Sequence, residues 1–287
     1  MKICRFNENR LGLVEDEDVL DVTEALEVLS ACQYPFPEHD LLVAHLSEVQ
    51  DVIAKLKSTA TRQPLAGVNL LSPVANPGKI IAAPVNYVKH LQEVLGDAKL
   101  HHNNQIDHIE RAGLFLKATS SLVGMSQGVT FNQDERRTDH EVELVIVIGK
   151  TCKGVARSEA LSYVAGYCVG LDMTIRGPEE RSLRKSPDSY TVLGPWLLTA
   201  DELPEPGKLD LKLTVNGEPR QSNNTRELII GVEALIEFAS RFYTLHPGDV
   251  IFTGTPEGVG PVRPGDRIHA SIEGVGALNV DVLPEAP

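Results

Sequence analysis

Residues 139–150 read DHEVELVIVIGK, and this stretch decides the fold. Five of its twelve residues are β-branched, which favours a strand. Strand side chains alternate between two faces. His140, Val142, Leu144, Ile146 and Ile148 fall on one face; Asp139, Glu141, Glu143, Val145 and Val147 fall on the other. Three successive carboxylates on one side of an apolar strand repel each other and lose hydration. They need a cation, a proton or open water. An E-x-E pair alone is most often the solvated face of an edge strand. Here the flanking run is apolar, and a second strand-like segment, GYCVGLDMTI at 166–175, carries an isolated Asp172. Three carboxylates completed by water are the donors that hard Mg²⁺ or Mn²⁺ prefers. No Cys/His cluster in the sequence competes for a zinc assignment.

Working outward, the chain is β-rich on both sides of this segment. KIIAAPVNY, GPWLLT, KLDLKLTVNGE, DVIFTGT and DRIHASIEGVGALNVDVL all read as strands, with Asn216-Gly217 as a hairpin turn. Helical patterns are fewer, at 87–95, 158–165 and 228–243. Near the start, MKICRF and RLGLVEDEDVLDVT read as short strands. EALEVLSA and DLLVAHLSEVQDVIAKLKS read as helices. LLSPVANPGKIIAAPVNY holds three prolines, so we place a boundary near residue 72, dividing the chain into 1–72 and 73–287. The expected class is α+β, without a repeating βαβ array.

The 287 residues include 40 acidic and 27 basic side chains, a net charge of −13. That balance argues against nucleic acid or an anionic membrane as partner. It leaves room for a small anionic substrate drawn to a local cation. The apolar runs are far shorter than the roughly 20 residues a spanning helix needs. Cys4, Cys32, Cys152 and Cys168 form no CxxC motif, which suits a reducing, cytoplasmic setting.

Three further segments carry chemistry. In NYVKHLQE, 86–93, His90 and Glu93 stand i, i+3 and share a helix face. A Glu beside a His fixes its tautomer and raises its basicity, as taking a proton from water requires. On an exposed helix the same pair would be a plain ion pair. In RKSPDSYTVLGPWLLT, 184–199, Lys185 could stabilise developing negative charge. GDVIFTGTPEGVG, 248–260, is a strand entering a Gly-rich loop. It lacks the G-K-[ST] ending of a phosphate loop, so we read it as a tight turn lining a site.

In this order, the segments resemble the fumarylacetoacetate hydrolase superfamily, in particular its small acylpyruvate hydrolase and hydroxymuconate isomerase branch. The resemblance covers roughly residues 78–280. It implies a small N-terminal α/β domain and a larger C-terminal domain built as a mixed β-sandwich roll, paired into a homodimer. It assigns Glu141, Glu143 and Asp172 as ligands of Mg²⁺ or Mn²⁺, and gives Asp139 no ligand role. FLKATSSLVG brings in Lys117, AGYCVGLDMTIR adds Arg176, and TLHPGDVIFTGTPEGVG adds Thr255, all three facing substrate. NYVKHLQE is similar to the family's mobile short helix, which makes 87–111 an expected lid. Leu171, Gly177 and Glu179 depart from the family pattern where substrates are discriminated. The implied reaction is hydrolytic C–C cleavage of an acylpyruvate such as fumarylpyruvate or maleylpyruvate, in aromatic catabolism. The metal would chelate the 2-oxo acid, His90 oriented by Glu93 would activate water, Lys185 would stabilise the attacked oxygen, and Arg176 would orient a carboxylate. Oxaloacetate decarboxylation, hydroxymuconate-type isomerisation and non-catalytic ligand binding remain as alternatives on the same scaffold.

Overall fold

A computed structural model describes residues 1–97, 100, 109–131 and 135–285. Its main body is a twelve-stranded mixed sheet facing a five-stranded one, with a three-stranded sheet beside them. The central strands of the large sheet are Thr191–Thr199, Val164–Asp172, Val142–Ile148 and Val250–Phe252, in that order. The five-stranded sheet runs Glu218–Asn224, Asp210–Val215, Arg267–Ile272, Gly276–Leu283 and Val129–Thr130. Few helices and several mixed sheets make this the expected α+β class.

The apolar run of 142–148 is buried on both faces, as a central strand must be. Leu144, Ile146 and Ile148 pack with Leu211, Ile268 and Leu278 of the five-stranded sheet. Val145 and Val147 pack on the other side with Ile80, Phe115 and Phe252. The segment 139–150 is not one strand, however. Thr138–His140 pairs with Thr174–Ile175 and Gly260–Val262 in the small sheet. The chain then changes sheets at Glu141, and Val142–Ile148 joins the large one. Glu141 thus sits at a sheet junction, where a side chain can face a cavity instead of a packed layer.

The first strands extend the same large sheet. Lys2–Phe6 pairs antiparallel with Thr191–Thr199, with Ile3 opposite Leu197. Residue 72 falls just after the short strand Leu70–Leu71, and the large sheet has strands from both sides of it. The expected helix over 40–58 is two helices, Leu41–Ala44 and Leu46–Leu56, broken at His45. Asp40 anchors the first turn. Its Oδ1 accepts from Val43 N and its Oδ2 from Ala75 N and Asn76 N. The second helix tilts to bury Val49 and Ile53 against Leu13 and Leu20. The 24–31 and 158–165 helical patterns become 3₁₀ turns, Thr23–Val28 and Arg157–Tyr163, the latter feeding straight into a strand at Val164. Val88–Gly96 and Val232–Phe242 are α-helices near where the periodicity puts them. Asn216 and Gly217 both adopt positive φ, the backbone of a two-residue hairpin. Among the described residues, no helix is long and apolar enough to cross a membrane.

Candidate active site

Pairing sets the site. Glu143 lies opposite Gly170, and Val142 opposite Leu171. One step further, Asp172 N donates to Glu141 O at 2.9 Å. The three acidic side chains therefore converge, with one carboxylate oxygen from each of Glu141, Glu143 and Asp172 within 4.8 Å of the others, and all three residues buried. A cavity of about 270 Å³ opens beside them, lined by Glu141, Glu143, His90, Arg176, Lys185 and Thr255 among others. Behind these residues, Glu93 contacts His90 and Asp172 contacts Lys185, and Lys117 contacts Asp172 in turn.

The cations are unevenly shared. Lys185 Nζ reaches Glu141 Oε2 at 2.7 Å, Asp172 Oδ2 at 2.6 Å and Thr174 Oγ1 at 2.7 Å. Lys117 Nζ donates to Asp172 Oδ1 at 2.5 Å and Tyr190 O at 2.8 Å. Arg176 donates through Nη2 to Glu141 Oε1 and through Nε to Asp139 Oδ2, both at 2.7 Å. Arg137 holds Asp139 from the other side. Arg176 and Asp139 thus form a buttress beside the carboxylates. Burial works against the Glu141 anion, yet Lys185 and Arg176 outweigh it and hold its pKa well below the usual range. Burial pulls the Lys117 pKa down, with Asp172 opposing.

Glu143 is different. Its hydrogen bond comes from a backbone amide, Gly254 N, at 2.6 Å. Burial, then the neighbouring Asp172 charge, pushes its pKa well above that of an ordinary carboxylate. It is a buried acid beside two other carboxylates, with no lysine or arginine hydrogen-bonded to it among the described residues. Three hard oxygen donors with one carboxylate short of a cation fit a divalent metal of the Mg²⁺ or Mn²⁺ type.

The same cavity takes in the His–Glu pair through His90. His90 is buried, and its Nδ1 meets Glu93 Oε2 at 2.8 Å. Glu93 is fixed in turn, its Oε1 accepting from Gly258 N at 3.0 Å. This is no plain surface ion pair. The Gly-rich loop after Val250–Phe252 therefore supplies amides to both Glu143 and Glu93. Gly254 has a φ of +101°, and a Cβ there would fall 2.6 Å from that of Asn86. Only glycine fits. Thr255 Oγ1 donates to Val142 O at 2.9 Å and accepts from Gln221 Nε2 at 2.8 Å, so its hydroxyl ties the loop to the carboxylate strand. Pro84-Val85 forms the turn on another wall, with Val85 at a φ of +48°.

Several residues escaped the sequence reading. Gln221 is buried, and its Oε1 accepts from Val142 N while its Nε2 donates to Thr255 and Pro256. Asn86, also buried, pins the loop by donating to Thr253 O and Ile230 O. Arg181 and Arg184 line the cavity. No local pattern marks these residues: Gln221 and Asn86 act on chain tens of residues away, and only the whole fold places Arg181 and Arg184 on the cavity. Of the expected lid 87–111, positions 98–99 and 101–108 lie outside the described residues, including His101, His102 and His108. Val94 and Leu100 close part of the cavity wall.

Comparison with known proteins follows the same lines. Residues 79–283 match the family described as fumarylacetoacetate (FAA) hydrolase C-terminal. The chain is 61% identical over 284 residues to maleylpyruvate hydrolase of Aquipseudomonas alcaligenes, covering 98% of this chain and 99% of that one. It is similar to the crystal structure of maleylpyruvate hydrolase from Sphingobium sp. SYK-6 in complex with manganese(II) and pyruvate. There the TM-score is 0.85 at 41% identity, over the full length of both chains. A mitochondrial oxaloacetate tautomerase of Xenopus laevis is 35% identical over 76% of this chain and 69% of its own.

Proposed function

The chain belongs to the fumarylacetoacetate hydrolase family, and from that premise we propose that it is a divalent-metal-dependent hydrolase. It cleaves a carbon–carbon bond of an acylpyruvate of the maleylpyruvate or fumarylpyruvate type, in the breakdown of aromatic compounds. The observation that carries this reading is the convergence of Glu141, Glu143 and Asp172 beside a cavity that is also lined by His90, which Glu93 holds.

Mg²⁺ or Mn²⁺ held by the three carboxylates would supply a Lewis acid for the 2-oxo acid end of the substrate. The protein's own groups do the rest. Glu93 fixes the His90 tautomer by accepting from Nδ1, so Nε2 is the nitrogen that takes a proton from water. The water oxygen adds to the distal ketone carbon. The bond from that carbon to the methylene breaks, its electron pair stays on the methylene, and a proton returned from His90 completes the methyl group of pyruvate. The other product is the free dicarboxylic acid. Lys185 holds positive charge against the attacked oxygen, and Arg176 orients both the Glu141 carboxylate and a substrate carboxylate. Lys117 neutralises Asp172 from behind, and Thr255 keeps the loop amides in place. The active form in this reading is a homodimer in the cytoplasm, and four free cysteines accord with a reducing compartment.

The similarity to an oxaloacetate tautomerase sustains a second reading, in which His90 only moves a proton along an enolisable acid. Product analysis with Mn²⁺ separates the two. Hydrolysis releases pyruvate from maleylpyruvate or fumarylpyruvate. If pyruvate is not released while oxaloacetate enol is rapidly ketonised, the hydrolase reading is wrong.

A further inference from the structure

Two more arginines line the same cavity. Arg181 opens the short helix Arg181–Lys185, and its guanidinium lies 5.4 Å over the Phe115 ring. Arg184, three residues on, is buried and donates to two backbone carbonyls, Glu179 O at 2.8 Å and Ile175 O at 3.3 Å. Both arginines line the cavity. Neither has a carboxylate within ion-pair distance among the described residues, unlike Arg176, which has two. The two acids on this part of the wall are already committed. Glu179 is held by both nitrogens of the Arg136 fork at 2.8 Å, and Glu180 caps the helix through Ser182 N at 2.7 Å.

The cost of this arrangement shows in its charges. Burial is the main force lowering the Arg184 pKa, and Arg176 and Arg181 add like-charge repulsion. Burial also lowers that of Arg181. Nearby guanidinium groups facing one cavity, without an acidic partner for two of them, are the complement of an incoming anion. The carboxylate cluster takes the 2-oxo acid end of a substrate and cannot also hold a second negative group.

We propose that Arg181, backed by Arg184, binds the distal carboxylate of the substrate, so that the chain selects acylpyruvates ending in a second carboxylate over those with a neutral tail. This rests on the hydrolase reading for the placement of the first carboxylate. Arg181 is the direct contact, because the Phe115 face orients its planar fork while leaving its nitrogens for a carboxylate. Arg184 is pinned by backbone carbonyls and contributes charge from a fixed position.

A pair of unreactive ligands tests this apart from turnover. 2-Oxopimelate and 2-oxoheptanoate share the 2-oxo acid end and the chain length, and differ by the distal carboxylate. With Mn²⁺-loaded protein, calorimetry should show the diacid bound about 30–100-fold tighter, the low end for an ion pair with a half-exposed arginine. Arg181→Gln should shrink that ratio to within about threefold, and Arg181→Lys should restore part of it. Equal binding of the two ligands by the wild type overturns the proposal, as does a ratio that survives in Arg181→Gln. The same proteins are then assayed on maleylpyruvate and acetylpyruvate. If neither is cleaved but the binding ratio behaves as expected, the hydrolase reading falls and the anion subsite stands. If both are cleaved with equal kcat/KM, the subsite falls and the hydrolase reading stands.

Discussion

At the scale of single residues, charge accounting separates three acids of similar appearance. Glu141 and Asp172 each meet a lysine, whereas Glu143 meets a backbone amide. Replacing Glu143 with Gln removes a donor charge without changing shape. Mn²⁺ affinity by calorimetric titration should fall by at least about 10²-fold, since even residues that only orient metal ligands cost roughly 10–100-fold. Circular dichroism should be unchanged; undiminished affinity would remove Glu143 from the ligand set. His90→Ala should lower kcat on maleylpyruvate by about 10²–10⁴-fold, the usual worth of a general base. Oxalate binding in the presence of Mn²⁺ should persist. Glu93→Gln should cost less, because the imidazole stays but its tautomer is less firmly held. A His90→Ala enzyme with the wild-type rate would take His90 out of the reaction.

At the scale of elements, Gln221 decides whether the Gly-rich loop keeps its place. It lies on the strand Glu218–Asn224 of the five-stranded sheet, yet its amide bridges Val142, Thr255 and Pro256. Gln221→Ala takes a partner from Val142 N, Thr255 Oγ1 and Pro256 O in a dry environment. Stability by urea denaturation should fall by about 2–4 kcal/mol. A loss under about 1 kcal/mol would show that the loop holds itself. Nothing in EPRQSNN marks this role, because its neighbours read as an ordinary polar strand. The strand Val142–Ile148 and the helix Val232–Phe242 were legible from the period of their apolar residues. The break at His45 was not: the turn before it is tied by Asp40 to Ala75 and Asn76, contacts that no local pattern carries. The sheet change at Glu141 was hidden for the same reason: register is set by partners on distant strands. The carboxylates and the His–Glu pair could be picked out in sequence, since two residues apart on a strand and three apart on a helix are local geometry. Arg181 and Arg184 could not, because an arginine reveals its missing partner only when its surroundings are known.

At the scale of the whole molecule, burial sorts the thiols. Cys4, Cys152 and Cys168 are buried, and Cys32 is exposed. Burial pushes the Cys4 thiol up to about 12 and raises Cys152 and Cys168 as well. Native protein should therefore react with one equivalent of a thiol reagent quickly, and with all four only once unfolded. A second fast thiol would mean that part of the core opens readily. Light scattering should give about twice the 31.3 kDa chain mass if the homodimer reading holds. A monomer mass would refute it. Val85 bears on the molecule's history under selection. A β-branched side chain at a φ of +48° occupies a turn position that suits Gly or Asn, at a cost of about 1–3 kcal/mol. Its side chain nevertheless walls the reaction chamber. A library screened only for survival of heat should thus enrich Gly or Asn at 85, and the survivors should turn over more slowly. Durability and speed would be traded at a single peptide unit.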